Sequence, residues 1–223
     1  MIVSGSIGLL GWRTGRSKQM GLHARTLEIV RGELCLAFTD TVDWRASEHP
    51  EKLLNSYDDM VAWGKDVAVL EDEEAVGLLA VAKERPDEAA AALERATRLR
   101  EALYGVLVAV ADGQSPATQD LDVLNQVLSN ALARMELVAT PEGVVWASRG
   151  KDSLERVMWT VARQAADLLT SQRLDRVGQC PGCGWLFLDH SRNRSRKWCT
   201  MDVCGNRAKA RRHYERTRQG RQH

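Results

Sequence analysis

Hydrophobic positions recur with a helical period along most of the chain between residues 50 and 175. Leu154, Val157 and Val161, for example, fall on one face of a helix. Pro86 suits a first helical turn, where its missing N–H costs nothing. The pattern predicts helices over residues of about 50–65, 72–84, 86–111, 116–134 and 153–175.

Two segments carry patterns more typical of strands. Residues 33–42 combine β-branched and aromatic side chains with imperfect alternation, which predicts a strand. Residues 135–148 contain two short apolar runs around the turn cluster Thr140-Pro141-Glu142-Gly143, which predicts a hairpin. Together these elements predict an α+β fold whose N-terminal domain is rich in helix and has a small sheet.

The charge distribution divides the chain in two. The formal net charge of +1 conceals 12 Lys and Arg against 3 Asp and Glu in residues 176–223, and an acidic excess before them. We therefore predict an extension over residues 1–24, a main domain over 25–175 and a basic module over 176–223. A basic module on an acidic body indicates a polyanionic partner.

The same composition argues against membrane and secretory classes. No run of 18 apolar residues is present, so we expect no membrane-spanning helix. The apolar start Ile7-Gly8-Leu9-Leu10 is short and lacks a basic leader, so it does not resemble a signal peptide. We expect a cytoplasmic protein, associated with the nucleoid if it binds DNA.

Four of the five cysteines form two close pairs near the C-terminus. Cys180 and Cys183 are followed after fifteen residues by Cys199 and Cys204. Paired cysteines at this spacing indicate one structural zinc ion, because four thiolates fill its tetrahedral coordination and leave no position for water. Free or disulfide-bonded cysteines are the alternative. The lone Cys35 lies between Leu34 and Leu36, and we expect a buried, inert thiol there.

The spacing of the second pair predicts its local structure. Five residues turn a helix by about 140°, so Cys199 and Cys204 cannot share one helical face. We expect Cys199 on the approach and Cys204 in the first helical turn, with Thr200 or Asp202 as N-cap. The residues flanking the first pair would form a zinc knuckle, with Gly184 at positive φ. Knuckle, hairpin and helix around one zinc ion describe a treble-clef finger, and His190 and His213 are not needed as ligands.

Basic residues crowd the loop and the helix around the second cysteine pair. Clustered cations on a fixed scaffold suit phosphate binding, although a solvated basic surface without a ligand is the alternative. On the predicted helix, Val203, Ala210 and Tyr214 would form a seam that packs on the knuckle or on the neighbouring domain. The candidate nucleic-acid-binding residues are Arg192, Arg194, Arg196, Lys197, Arg207, Lys209, Arg211, Arg212 and Arg216.

The run Cys204-Gly205-Asn206-Arg207, after a Cys-Pro-x-Cys knuckle, resembles the CGNR zinc-finger family. The upstream stretches 32–42 and 57–63 resemble the ABATE domain of bacterial proteins described as candidate stress-induced transcription regulators. The resemblance implies a DNA-binding regulator with a sensor-like N-terminal domain. Ala37 and Asp40 depart from the usual Leu-Asp-Phe-x-Asn-Thr pattern, which puts any ligand-binding role of those positions in doubt. We expect Asn206 to be structural rather than base-contacting.

The leading hypothesis is a zinc-dependent, nucleic-acid-binding transcription regulator that responds to a small-molecule or stress signal. The alternative is an adaptor whose finger docks an acidic protein, because a fold alone does not decide function. We expect no enzymatic activity, since neither a glycine-rich phosphate loop nor a Gly-x-Ser-x-Gly elbow is present. The identity of the effector, DNA versus RNA, and a homodimeric state all stay open.

Overall fold

A computed structural model of the chain describes residues 33–141, 143–150 and 152–219. Helices dominate, and the strands occur only in pairs, each an antiparallel two-stranded ladder within the described ranges. None of the described helices is long and apolar enough to cross a bilayer. The elements in chain order are α1 (Leu34–Thr39), β1 (Val42–Asp43), β2 (Glu51–Lys52), α2 (Tyr57–Asp66), α3 (Asp72–Glu84), α4 (Pro86–Ala111), α5 (Thr118–Arg134), β3 (Met135–Thr140), β4 (Gly143–Ser148), α6 (Arg156–Leu169), β5 (Val177–Gln179), β6 (Leu186–Leu188) and α7 (Asn206–Gln219).

Local sequence signals fix the starts of α2, α3 and α4. Ser56 and Asp59 form a reciprocal capping box at α2, and Glu71 and Glu74 form another at α3. Pro86 occupies the first turn of α4, as predicted. The helix α2 begins later than residue 50 because Glu51–Lys52 pairs with β1 instead.

The strand predicted over residues 33–42 is wrong, because most of this segment forms the short helix α1. All six residues of α1 are buried. The amide of Ala37 donates to the carbonyl of Glu33 at 3.1 Å, and the amide of Asp40 donates to that of Leu36 at 3.0 Å. A helix satisfies its own backbone in an apolar core, where a lone strand would leave unpaired N–H and C=O groups.

The main core lies where α1, α4 and α6 meet. Leu99, Leu103 and Leu107 of α4 are fully buried there, and Val161 and Leu168 of α6 pack into the same cluster. The helix α6 begins and ends within the predicted range 153–175, and the segment Gln172–Arg176 forms a 3-10 helix after it. The helix-rich α+β class is therefore confirmed.

The hairpin predicted over residues 135–148 is also confirmed. The strands β3 and β4 pair in register from Met135 opposite Ser148 to Thr140 opposite Gly143. One face of the hairpin stays open to solvent, with Leu137 and Val144 mostly exposed.

The strands β5 and β6 lie against the N-terminal domain rather than apart from it. Val177, Leu186 and Leu188 belong to the main core cluster. The indole N–H of Trp185 donates to the carbonyl of Val42 at 3.0 Å. The C-terminal module is thus built onto α1 and β1.

Candidate metal centre and nucleic-acid surface

The first cysteine pair lies in the turn that joins β5 and β6. The amide of Cys180 donates to the carbonyl of Trp185 at 2.8 Å, and the amide of Gly184 donates back to that of Cys180 at 2.9 Å. Gly184 has φ of +81°, as predicted, and a Cβ there would lie 3.0 Å from Cβ of Arg45. Glycine is therefore required both by the backbone conformation and by the close approach of a neighbouring chain segment.

The four predicted ligands come together in one buried cluster. The sulfur atoms of Cys180, Cys183, Cys199 and Cys204 all lie within 4.8 Å of one another. The Sγ atoms are 3.5 Å apart between Cys183 and Cys199, and 3.6 Å apart between Cys199 and Cys204. A disulfide needs about 2 Å, whereas tetrahedral zinc with bonds of about 2.3 Å separates its sulfur ligands by about 3.8 Å. The geometry excludes those disulfides and fits one structural zinc ion.

The surroundings of the cluster suit a closed structural site. All four cysteines are buried, and Trp185 and Phe187 pack beside them, with Trp44 and Trp198 at the edge. Thiol hydrogen bonds from Cys183 and Cys199 lower the pKa of Cys180. The pKa of Cys183 is raised by its bond to Cys180 and by burial, so four thiolates coexist only when a cation offsets their repulsion.

The second pair takes the predicted positions, with one detail of backbone geometry added. Cys199 precedes the helix, and Cys204 lies in a π-helical turn, Met201–Gly205, that leads into α7. Thr200 is the N-cap, but its side chain makes no capping bond. The side-chain amide of Asn206 donates to the carbonyl of Asp202 at 3.2 Å, which supports a structural role for this asparagine.

Arg196 braces the loop before Cys199 instead of facing solvent freely. Its guanidinium donates to the carbonyls of Trp198 at 3.1 Å and Leu188 at 3.3 Å, and also to that of Cys199. It lies 4.8 Å from the centroid of the Phe187 ring. This candidate nucleic-acid contact therefore joins the knuckle to the second cysteine pair.

Asp189 organises the same loop, and sequence reasoning missed it. Its carboxylate accepts from the amides of Ser191 at 2.7 Å and Arg196 at 2.9 Å. The hydrogen bonding by Ser191 holds the pKa of Asp189 below its usual value. An aspartate directly before a polar, basic loop is the sequence signal that could have indicated such a turn.

Asp40, one of the departures from the family pattern, connects α1 to the finger. One carboxylate oxygen accepts from the amide of Leu186 at 2.9 Å, and the other is buried with no hydrogen-bond partner among the described residues. Burial raises the pKa of Asp40 well above its usual value. Its role is thus a structural link between the two parts of the chain.

The basic residues of α7 stand on a helix that leaves the body of the protein. Every described side chain from Lys209 to Arg218 is exposed. Lys209, Arg212 and Arg216 line one concavity together with Glu215. Two of the remaining cations lie near an indole ring: Arg207 at 4.7 Å from that of Trp44 and Lys197 at 5.6 Å from that of Trp198. Arg211 forms an ion pair with Glu215. Arg192 and Arg194 are exposed on the loop.

The apolar seam predicted on this helix is wrong beyond its first member. Val203 packs beside the zinc cluster, but Ala210 and Tyr214 face solvent, and Tyr214 is 68% exposed. The helix moves away from the knuckle after its first turn, so no described surface lies opposite the later seam positions. His190 and His213 are exposed and lie outside the metal cluster, as expected.

Comparison with known families adds to this geometry. Residues 32–172 match the model of the ABATE family, described as "Putative stress-induced transcription regulator". Residues 176–217 match that of the CGNR zinc finger. Neither description names an enzymatic activity. No curated protein matches the chain.

Proposed function

We propose, from the premise that the chain belongs to the ABATE family and carries a CGNR zinc finger, that this zinc-binding regulator controls transcription by binding duplex DNA. The contact surface would be α7 with the loop before Cys199. One observation carries the proposal: α7 leads away from the zinc centre, and every described side chain from Lys209 to Arg218 is exposed.

The dimensions and charge of α7 suit a groove of DNA. Its 14 residues span about 21 Å, and the major groove is about 12 Å wide and admits one helix. Lys209, Arg212 and Arg216 recur at three- and four-residue intervals, so they share the face that would meet the phosphates. A zinc-anchored first turn would fix the direction of the helix.

The other candidates divide by geometry into contact and support. Arg192 and Arg194 are exposed on the loop and are free to approach a second phosphate group. Arg196 and Arg207 are engaged with carbonyls and with Trp44, so we assign them to positioning the loop and the helix. DNA binding would place the protein on the chromosome, within the cytoplasm of a bacterial cell.

A salt-resolved titration of zinc-loaded protein against duplex DNA tests the proposal. The logarithm of the binding constant should fall linearly with the logarithm of salt concentration, by about 0.9 per phosphate contact. Replacing Lys209, Arg212 and Arg216 by Gln should weaken binding and reduce the slope by about 2.7. Zinc content should not change, because all three side chains are exposed and none belongs to the cysteine cluster.

A matched control removes three exposed cations from the N-terminal domain, by changing Lys83, Arg85 and Arg98 to Gln. This variant has the same net charge as the first but keeps α7 intact. Equal losses in the two variants would mean that net charge, rather than α7, governs association. No binding of the wild-type protein at low salt would reject the proposal.

An adaptor role is the second candidate, and the exposure of Tyr214 favours it. Tyrosine and arginine are residue types enriched at protein-binding hot spots, and Tyr214 is exposed on a helix rich in arginine. A Tyr214→Ala variant separates the two functions. Unchanged DNA affinity together with loss of an acidic protein partner would support the adaptor role. The DNA-binding role predicts instead that the basic residues of α7 account for most of the affinity for DNA.

A signal received by the N-terminal domain would have a short route to the finger. Asp40 directly follows α1 and accepts from the amide of Leu186 in β6, and the next segment supplies the carbonyl of Val42 that accepts from Trp185. A displacement of α1 would therefore act directly on the knuckle that holds two zinc ligands.

A further inference from the structure

A cavity of about 590 Å³ opens in the N-terminal domain, away from the zinc centre. Its walls come from the start of α1, the connection between α2 and α3, the strand β4, and α6. Small-molecule sites in proteins have volumes of about 300–1,000 Å³. The cavity therefore has the size of a ligand site, and it lies at the opposite end of α1 from Asp40.

Each of the four ionic side chains in the walls has an ion-pair partner. Glu33 binds Arg173, and Glu74 binds Arg156. Arg163 also has a partner, since its Nη1 donates to Asp167 at 2.6 Å. However, the Asp167 side chain is 58% exposed, whereas that of Arg163 is only 17% exposed.

The bond to Asp167 leaves the other edge of the Arg163 guanidinium unused. Its Nε is buried and has no hydrogen-bond partner among the described residues. Because Nε is closed to solvent, a ligand in the cavity does not reach it without a movement of the side chain. Nη2 has no hydrogen-bond partner among the described residues and is not one of the buried atoms, so it is the guanidinium donor open to a carboxylate oxygen.

Trp146 provides an aromatic surface next to this cation. The Trp146 side chain lines the cavity, 41% exposed, and its ring centroid lies 5.8 Å from the Arg163 guanidinium carbon. Leu34, Val69 and Met135 add apolar wall. A cationic side chain with one accessible donor and a flat apolar surface therefore line the same cavity.

We propose that this cavity binds a small aromatic carboxylate, with a carboxylate oxygen on Nη2 of Arg163 and the ring against Trp146. This proposal rests on the signal-responsive regulator proposed above and names the chemical class of its signal. A doubly charged phosphate fits less well, because the acidic Glu33 and Glu74 also line the cavity. Occupation would press on Leu34 in the first turn of α1, the helix that bonds the finger at its other end.

Calorimetric titration of the zinc-loaded full chain tests the proposal, with 2-naphthoate as the anionic probe and neutral 2-naphthamide as its match. We expect saturable binding of 2-naphthoate and at least about tenfold weaker binding of the amide, since a charged hydrogen bond is lost. An Arg163→Gln variant should lose about tenfold in affinity for 2-naphthoate and almost none for the amide. A Trp146→Ala variant should weaken both probes.

Arg149→Gln is the matched control, because Arg149 is an exposed arginine close to β4 that pairs with Glu136. It should bind 2-naphthoate as the wild type does. Zinc content and the unfolding temperature report whether Arg163→Gln folds, and the partly exposed Trp146 provides a variant with little effect on the core. Equal affinity for the two probes, no saturable binding, or unchanged affinity in both cavity variants would overturn the proposal. The titration contains no DNA, so its failure is distinct from a failure of DNA binding.

Discussion

At the scale of single residues, the zinc centre depends on side chains that hold the cysteines in place. Arg196 bonds the carbonyls of Leu188 and Cys199, and Asp189 holds the amide of Arg196. The residue spacing of the cysteines indicated the ligands, because zinc chemistry constrains that spacing. The spacing did not indicate the hydrogen bonds of Arg196 to backbone carbonyls, because a basic loop has the same sequence pattern whether its arginines bind carbonyls or phosphates.

Cys199→Ser should abolish stable zinc binding and unfold the finger. Cys199 is fully buried among the other three sulfurs, and a hydroxyl is a poor zinc ligand. Metal analysis of the purified protein and near-ultraviolet circular dichroism measure the two effects. Cys35→Ala is the control, because Cys35 is buried in the main core, where burial raises its pKa to about 12. Metal retained at full stoichiometry in Cys199→Ser would contradict the assignment.

Arg196→Gln should lower zinc affinity by about 10–100-fold while the four ligands remain. The substitution removes the donors that hold the carbonyls on both sides of the loop. Competition with a chromogenic chelator measures the affinity. Arg192→Gln removes an equal charge from an exposed position of the same loop and should leave zinc affinity unchanged. Similar losses in both variants would show that charge, not bracing, matters.

Asp40→Asn should stabilise the protein increasingly as the pH rises from about 5 to about 8 in excess zinc. The raised pKa means that folded Asp40 holds its proton more tightly than unfolded Asp40. Its contribution is therefore complete below the unfolded pKa and is lost as the pH rises towards the folded one. Asparagine keeps an acceptor for Leu186 and does not titrate. Unfolding temperatures of both proteins across the range test this, and a constant difference would contradict it.

At the scale of elements, sequence periodicity succeeded where an element has its own start signal. The capping boxes of α2 and α3 and the proline of α4 made those helices predictable. The helix α1 was mistaken for a strand because its residues are buried on all sides, so no polar positions reveal its period. The helix α7 was predicted, but its sequence does not reveal how far the neighbouring surface extends along it. The prediction that Tyr214 packs against that surface was therefore wrong.

Ending the chain after Ala208 should leave the rest of the fold intact and remove DNA binding. Every described side chain of α7 beyond that point is exposed, so little buried area is lost. We expect an unfolding temperature within about 2 °C of the full chain, because surface changes rarely exceed about 0.5 kcal/mol. Calorimetry and the DNA titration measure both outcomes. A large fall in stability would mean that α7 packs on a surface that the described contacts omit.

At the scale of the whole molecule, the finger and the N-terminal domain share one core. Val177, Leu186 and Leu188 close the same cluster that α1 and α6 form. Charge changes sign near residue 176, but apolar packing continues across that position. The charge profile indicates that the two parts of the chain have different functions, but it carries no information about which apolar surfaces of the two parts pack together.

Removing zinc with a chelator should therefore destabilise the helical domain as well as the finger. Structural zinc contributes on the order of 10 kcal/mol to small fingers, and here the knuckle it holds also covers part of the main core. The far-ultraviolet circular dichroism of the helices should show one unfolding transition, at a lower temperature than in the zinc-loaded chain. Chelator presaturated with zinc is the control. An unchanged helical transition would show that the core does not need the knuckle.

The shared core also constrains how such proteins can recombine. A finger transferred alone to another chain would carry Leu186 and Leu188 as a bare apolar face, and the domain left behind would expose the matching area of α1. Exchange between relatives is therefore expected to yield folded hybrids only when donor and recipient have complementary faces. During evolution, residues on the two sides of this interface between the finger and α1 should change together, even though the zinc ligands stay the same.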